Sequence, residues 1–455
     1  KCRQLLLAQR APERDLTLQL TQSYHPTYDP LLLKAFQAKD YFLLVGPPGT
    51  GKTSMALQYM VREALAKGES ILLMSYTNRA VDEICGMLSD NAIDYIRIGN
   101  EYSCDERYRS HLLSEYIENN PKLTAIRERI MGTRVIVGTT STLQSKSYLF
   151  ELKSFSMAII DEASQILEPN LVGLLSKLPK FILIGDHKQL PAVVQQEVND
   201  SAVHDKRLHD IKLTNCRNSL FERLIRVEEA AKRTDFVGVL RVQGRMHPAV
   251  AAFPNRMFYF KECLKPVPLS HQKETRLHYE LPSQDTLDDA LKAHRMLFIP
   301  SKICHHSQLS DKVNPDEAHI VAILLGRIYR FYGNSFDADK TIGVIVPYRN
   351  QIAMIRKEIE KLGIKALERI SIDTVERYQG SQRDVIIYSF TVQHRYQLDF
   401  LTANCFEENG HIIDRKLNVA VTRARKQMII TGNEMVLNQD PIFKELIASC
   451  ELGHL

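Results

Sequence analysis

The stretch of this chain with the most explicit chemistry is Gly46-Pro-Pro-Gly-Thr-Gly-Lys52-Thr53, which satisfies G-x-x-x-x-G-K-[ST]. Its glycines let backbone N–H groups turn inward and cradle phosphate oxygens at a helix N-terminus. Lys52 would reach the β- and γ-phosphates of a nucleotide, and the Thr53 hydroxyl would help to hold Mg²⁺. Gly46, Pro47, Pro48, Gly49, Thr50, Gly51, Lys52 and Thr53 are therefore read together as the nucleotide-binding loop. The flanks fit that reading: the apolar run Tyr41–Val45 leads in as a strand, and Ser54–Ala66 leads out as a helix.

A second acidic element, Asp161-Glu162-Ala163-Ser164-Gln165, follows the apolar run Met157–Ile160. Taken alone, such a stretch is an ordinary acid-rich helix start. Behind a phosphate loop it gains a role, because the C-terminal ends of parallel strands are where an open α/β sheet places its ligands. Asp161 would complete the Mg²⁺ shell, and Glu162 would orient or deprotonate an attacking water.

The elements that must position these residues form two series. Short aliphatic runs at Tyr41–Val45, Ile71–Met74, Val135–Val137, Met157–Ile160 and Phe181–Ile184 alternate with helical patterns, the signature of a parallel α/β sheet. A second series is Leu297–Ile299, Ile342–Val346, Val385–Phe390 and Met428–Ile430. One of the intervening helices places Ile352, Ile355, Ile359 and Leu362 on a common face, with Arg356, Lys357, Glu358, Glu360 and Lys361 in water. The reading is an α/β chain with an N-terminal arm over 1–40, a first domain over 41–240 and a second over 241–455. The polar segment Asn91–Gly132 reads as a helical insertion in the first domain, and the Pro-containing Lys261–Arg295 as a surface excursion.

Composition narrows the class. The 455 residues are 44% hydrophobic and 25% charged, enough for two packed cores, and no apolar run reaches membrane-spanning length. Eight scattered cysteines without a C-x-x-C pair suit a reduced cytoplasmic protein (or a nuclear one in a eukaryote) better than a disulfide scaffold. Adjacent side chains in Cys304-His305-His306 do not converge on the tetrahedral geometry that zinc needs. The net charge of +5 decides nothing, since a nucleic-acid motor needs only a local basic groove. Lys1 is read as a cut inside a longer protein, with a further domain expected upstream.

Five further motifs separate this chain from other phosphate-loop ATPases. They are Gly185-Asp-His-Lys-Gln189-Leu-Pro191, Leu240-Arg-Val-Gln-Gly-Arg245-Met-His-Pro248, Val346-Pro-Tyr-Arg-Asn-Gln351, Asp373-Thr-Val-Glu-Arg-Tyr-Gln-Gly380 and Leu417-Asn-Val-Ala-Val-Thr-Arg423-Ala-Arg425. In that order, from about Asp29 to Asn433, the chain resembles the superfamily-one helicases of the Upf-like, Dna-two-like and Senataxin-like branch. The resemblance implies two tandem RecA-like domains with parallel sheets, and ATP with Mg²⁺ bound between them. It implies that Gln189 senses the γ-phosphate and that Arg245 and Arg423 act as arginine fingers. Gly380 and Gln382 would lie against the nucleotide. Single-stranded DNA or RNA would be held by Thr77, Asn78, Thr139, Thr140, Pro347, Tyr348 and Thr374, mostly through phosphate and sugar, with Tyr348 free to stack on a base.

Three positions depart from the family pattern. Leu32, aligned through Ala35, stands where relatives carry a glutamine that reads the adenine edge. Gly244 stands where they carry a tyrosine that stacks on it, and Gln382 where many have glutamate. The implied function is a monomeric ATP-driven helicase or translocase moving 5′ to 3′ on a single strand. The alternative is a nucleotide-gated switch or ribonucleoprotein remodeller serving an N-terminal effector.

Overall fold

The computed structural model describes residues 2–196, 199–277, 279, 281–304 and 310–454, so His305 and His306 of the cysteine–histidine tripeptide lie outside the described residues. The chain divides into two compact units: Lys1–His187 with Pro191–Leu240, and Lys188–Leu190 with Arg241–Leu455. Among the described residues no helix is long and apolar enough to cross a membrane.

The first unit is built on seven parallel strands, β1 (Tyr41–Val45), β2 (Ile71–Ser75), β3 (Ile96–Ile98), β4 (Val135–Thr139), β5 (Met157–Ile160), β6 (Phe181–Gly185) and β7 (Val237–Val239), ordered β3-β4-β2-β5-β6-β1-β7. The inner strands are buried along their whole length, which is why they read as unbroken apolar runs rather than alternating ones. The register sets Val45 opposite Gly185, and Met74 opposite Ile160. The segments that follow β1, β2, β5 and β6 therefore emerge together at one edge of the sheet.

The second unit carries a small parallel pair, β8 (Val242–Gln243) and β9 (Lys265–Pro266), and a six-stranded parallel sheet. Its strands are β10 (Met296–Pro300), β11 (Ile342–Val346), β12 (Ser371–Thr374), β13 (Arg383–Ser389), β16 (Ala424–Gly432) and β17 (Glu451–Leu452), in the order β12-β11-β13-β16-β10-β17. An antiparallel hairpin, β14 (Cys405–Glu408) and β15 (His411–Asp414), precedes β16. Two parallel-sheet α/β units are the fold class expected.

Three local readings change. The segment read as a helical insertion over 91–132 is only partly helical, because Ile96–Ile98 joins the sheet as its edge strand. The excursion read over 261–295 contains the helix Thr286–Ala293, whose Leu287 and Leu291 enter the core. In the helix Arg349–Glu360 the buried face is Gln351, Ile355 and Ile359, while Leu362 lies beyond the helix end and is exposed.

Candidate active site

In the first unit the loop Gly46–Thr53 leaves β1 at the sheet's C-terminal edge and turns into a helix that opens as a π-turn over Lys52–Leu57 before continuing over Gln58–Ala66. Gly51 sits at φ +74°, and a side chain there would also press on the Tyr28 hydroxyl, 2.7 Å from an added Cβ. The Tyr28 hydroxyl donates to the Thr50 carbonyl (2.9 Å), tying the N-terminal arm to the loop.

Lys52 and Thr53 meet the acids at the end of β5. Lys52 Nζ donates to Glu162 Oε1 (3.1 Å), and Thr53 Oγ1 donates to Asp161 Oδ2 (2.5 Å). Burial works against the Lys52 charge, but Glu162, Asp161 and Asp186 outweigh it and hold the ammonium above its ordinary range. Burial, with Glu162 beside it, raises the Asp161 carboxyl above its ordinary range. Glu162 itself stands in left-handed backbone at φ +53°, and its second oxygen accepts from Gln165 Nε2 (2.9 Å). Thr53 Oγ1 and Asp161 Oδ2 form a pair of hard oxygen donors. Such a pair fits a cation like Mg²⁺, which takes few protein ligands and completes its shell with water and phosphate oxygens. Gly185 brings β6 against this site: a Cβ there would stand 2.9 Å from the Ser164 nitrogen.

Sequence reasoning passed over Glu83, on the helix Asn78–Asp90. Its side chain is half exposed, and its carboxyl is raised by partial desolvation and then by Asp161 and Glu162, against Arg79 and Lys52. It is a third acid within the field of the site. The signal available in the sequence was only an acid on an amphipathic helix.

In the second unit, motif residues far apart in sequence converge. Arg423 is fully buried; its Nη2 donates to Gln189 Oε1 (2.8 Å) and its Nε to the Val419 carbonyl (2.9 Å). Arg245 Nε donates to Gln382 Oε1 (2.9 Å), and its Nη1 to the Thr422 carbonyl (3.4 Å). Gln382 and Arg423 immediately precede β13 and β16, so this cluster lies at the N-terminal edge of the second sheet. Gly380, two residues before Gln382, takes φ +84°.

The strand candidates separate into two groups. Thr77 and Asn78 are exposed where β2 gives way to a helix, and Thr77 Oγ1 caps that helix by accepting from Ala80 N (3.2 Å). Thr139 and Thr140 are buried, with Thr139 Oγ1 accepting from Thr142 N as a helix cap. Pro347, Tyr348 and Thr374 are buried at the C-terminal edge of the second sheet, opposite in strand direction to the Arg245–Arg423 cluster. Tyr348 is not open to a base: its ring stacks on Phe400 at 5.1 Å and 22°.

Leu32 and the arm's aromatic rings also find their places. Leu32 is 1% exposed, in the core of the first unit, so the alignment through Ala35 sets that position inside the protein rather than at a nucleotide. Tyr24 donates to Glu63 Oε2 (2.9 Å) and packs on Tyr59, which in turn meets Tyr28 edge-on. Gly244 lies under Leu269, whose Cδ1 would be 3.2 Å from an added Cβ.

Comparison with known proteins agrees with these motifs. Sequence families described as AAA domain match residues 29–129 and 122–197, and residues 216–435. The "DNA replication ATP-dependent helicase/nuclease JHS1" of Arabidopsis thaliana is 29% identical over 91% of this chain and 29% of its own length. The "DNA replication ATP-dependent helicase/nuclease DNA2" of Xenopus laevis is 29% identical over 96% of this chain and 40% of its own, and that of Homo sapiens 29% identical over 91% and 37%. The chain thus spans less than half the length of these curated relatives. Among solved structures, an arterivirus nonstructural protein 10 helicase in complex with DNA aligns over 90% of this chain and 63% of its own, at a TM-score of 0.44 and 16% identity, too distant to bear on fold or function. On its ordered motifs and its relatives, the chain belongs to the superfamily-one helicases, in the branch of Upf-like, Dna-two-like and Senataxin-like enzymes, and is an ATP-hydrolysing enzyme.

Proposed function

We propose that this chain is a motor that hydrolyses ATP to move 5′ to 3′ along single-stranded nucleic acid. The observation that carries the reading is the pairing of Lys52 with Glu162 and of Thr53 with Asp161, which sets a phosphate-binding lysine, two hard oxygen donors and a candidate base at the mouth of one loop. Bound Mg²⁺ would supply charge neutralisation to the phosphate oxygens, held by Thr53 and Asp161. Lys52 binds the β- and γ-phosphates, and Glu162 takes a proton from the attacking water. Arg245 and Arg423 stabilise charge on the transferring phosphoryl group, and Gln189, bonded to Arg423, reports its loss.

The strand reading rests on the relatives' names, which include DNA, and on Thr77 and Asn78, which stand exposed where β2 gives way to a helix. Phosphate release measured with and without single-stranded oligonucleotide tests it. Turnover should rise with the strand and fall as salt rises, because phosphate contacts release counterions. Displacement of streptavidin from 3′- or 5′-biotinylated strands reads the polarity. A rate indifferent to DNA and RNA alike would replace this reading with a nucleotide-gated switch.

A further inference from the structure

The connection after β13 carries a feature that the motifs do not explain. The short helix Tyr396–Leu401 holds Tyr396 and Phe400 four residues apart, hence on one face, and both residues are exposed, at 59% and 44%. Exposed single aromatics are common, but these two belong to an ordered row. His394 stacks on Tyr396 at 5.5 Å and 10°, and Phe400 stacks on Tyr348. Lys416 lies 3.9 Å from the Phe400 ring centroid and donates to its carbonyl.

The helix is fixed from beneath by buried glutamines. Gln397 Oε1 accepts from the nitrogens of Gln393 (2.8 Å) and His394 (3.0 Å), while its Nε2 donates to the Asp311 carbonyl (2.9 Å). Gln393 reaches the Val313 carbonyl and accepts from Cys304 N. Upstream, Thr391 takes φ +59°, unusual for a β-branched residue, and its nitrogen donates to the buried Glu317. Two water-facing rings are thus mounted on a rigid polar frame, and the Tyr396 hydroxyl is pinned to Asp311. The nearby charges are mixed: Arg349, Arg395 and Lys416 stand with Asp311, Asp399 and Glu376. Flat rings without a one-sign field suit the faces of bases better than a row of phosphates.

Resting on the strand-binding reading above, we propose that Tyr396 and Phe400 form the base-stacking platform of the second unit, with Tyr348 as the buried ring that backs Phe400 rather than as the stacking group. Their position continues the edge at which Pro347 and Tyr348 emerge, which commits the platform to single-stranded nucleic acid. Stacking is sequence-tolerant, because every base has a π-face.

The test is fluorescence anisotropy on the full chain with labelled oligothymidylate and an abasic strand of equal length. The wild-type chain should bind the thymidylate more tightly. Tyr396→Ala and Phe400→Ala should each weaken that binding about 5-fold or more, leave the abasic strand unaffected, and leave the thermal midpoint in place. Tyr396→Phe, which keeps the ring and loses only the bond to Asp311, should retain the base preference. Variants that bind thymidylate as the wild type does, or that weaken both strands equally, overturn the platform. If the wild-type chain binds neither strand, the strand-binding reading itself falls, and the platform with it.

Discussion

Lys52 and Glu162 stand 3.1 Å apart at the ends of two strands separated in the sheet by β6. Glu162 reaches that lysine from left-handed backbone, a conformation that costs a non-glycine residue about 1–3 kcal/mol where it is held in place. The surroundings that impose it are visible: Asp161 Oδ1 accepts from Glu162 N (2.9 Å), Gln165 holds the far oxygen, and Ser75 Oγ donates to the Asp161 carbonyl (3.0 Å). The strain serves to aim one carboxylate at the phosphate loop while its neighbour meets Thr53.

Lys52→Ala and Glu162→Gln should therefore abolish nearly all ATP turnover without removing affinity for a single strand. Loss of a general base lowers rates by about 10²–10⁴-fold, and the glutamine amide preserves the size and much of the bonding of the carboxylate. Phosphate release and oligonucleotide anisotropy measured on the same preparation separate the two effects. Normal turnover in the Glu162→Gln protein would remove Glu162 from the mechanism.

The two arginines should fail differently. Arg245 is partly exposed, so Arg245→Ala should lower kcat by about 10³-fold or more, as for an arginine finger, with the thermal midpoint almost unchanged. Arg423 is buried against Gln189 and the Val419 carbonyl, so Arg423→Ala should also cost stability, about 1.5–3 kcal/mol for each buried hydrogen bond from the guanidinium that is lost. Thermal unfolding beside steady-state kinetics checks the contrast. An Arg245 variant with full turnover, or an Arg423 variant with unchanged stability, contradicts it.

Nucleotide selectivity should be weak. Gly244 has no ring, Leu32 is sealed in the core, and the Tyr24 and Tyr28 hydroxyls are committed to Glu63 and Thr50. A missing stack removes about 0.5–1.5 kcal/mol by analogy with aromatic pairs, and without a hydrogen-bonding amide the wrong base is poorly rejected. We expect kcat/KM for GTP within about tenfold of that for ATP. A strong ATP preference abolished by replacing Tyr24, His25 and Tyr28 would show that the arm reads the base.

Sequence and structure agree most closely where strands are central and buried. The runs at Tyr41–Val45 and Ile342–Val346 have no polar face to confuse them, and each is a strand to its last residue. The edge strands Ile96–Ile98, Val237–Val239, Ser371–Thr374 and Glu451–Leu452 escaped notice because two to four residues are too few to show a periodicity. At the site, local motifs announced Lys52, Thr53, Asp161 and Glu162, since loop and acids each follow their own strand. The bonds from Arg423 to Gln189 and from Arg245 to Gln382 join residues 234 and 137 positions apart, and only tertiary folding brings those pairs together. Exposure was the least legible property. Tyr348 belongs to a motif and is buried, whereas Tyr396 belongs to none and faces water.

Asp414 gives the chain a pH dependence with a definite sign. It ends β15 and caps the helix Arg415–Val421, accepting from Leu417 N (3.0 Å), while Oδ2 is buried without a hydrogen-bond partner. Burial, with Asp440 adding to it, pushes the carboxyl up to about 7. The folded chain therefore keeps a proton that the unfolded chain gives up near pH 4. This contribution to stability is fully present below the unfolded value, is lost as pH rises to about 7, and is level above it. The slope cannot exceed about 1.4 kcal/mol per pH unit for one proton. Asp414→Asn should flatten that part of the profile, because the amide still caps the helix and has no charge to bury. Urea unfolding at pH 5, 6, 7 and 8 reads the difference between the two proteins. The wild type should lose stability relative to the variant from pH 5 to about 7 and run level with it above, and parallel profiles throughout would show that Asp414 does not hold the proton.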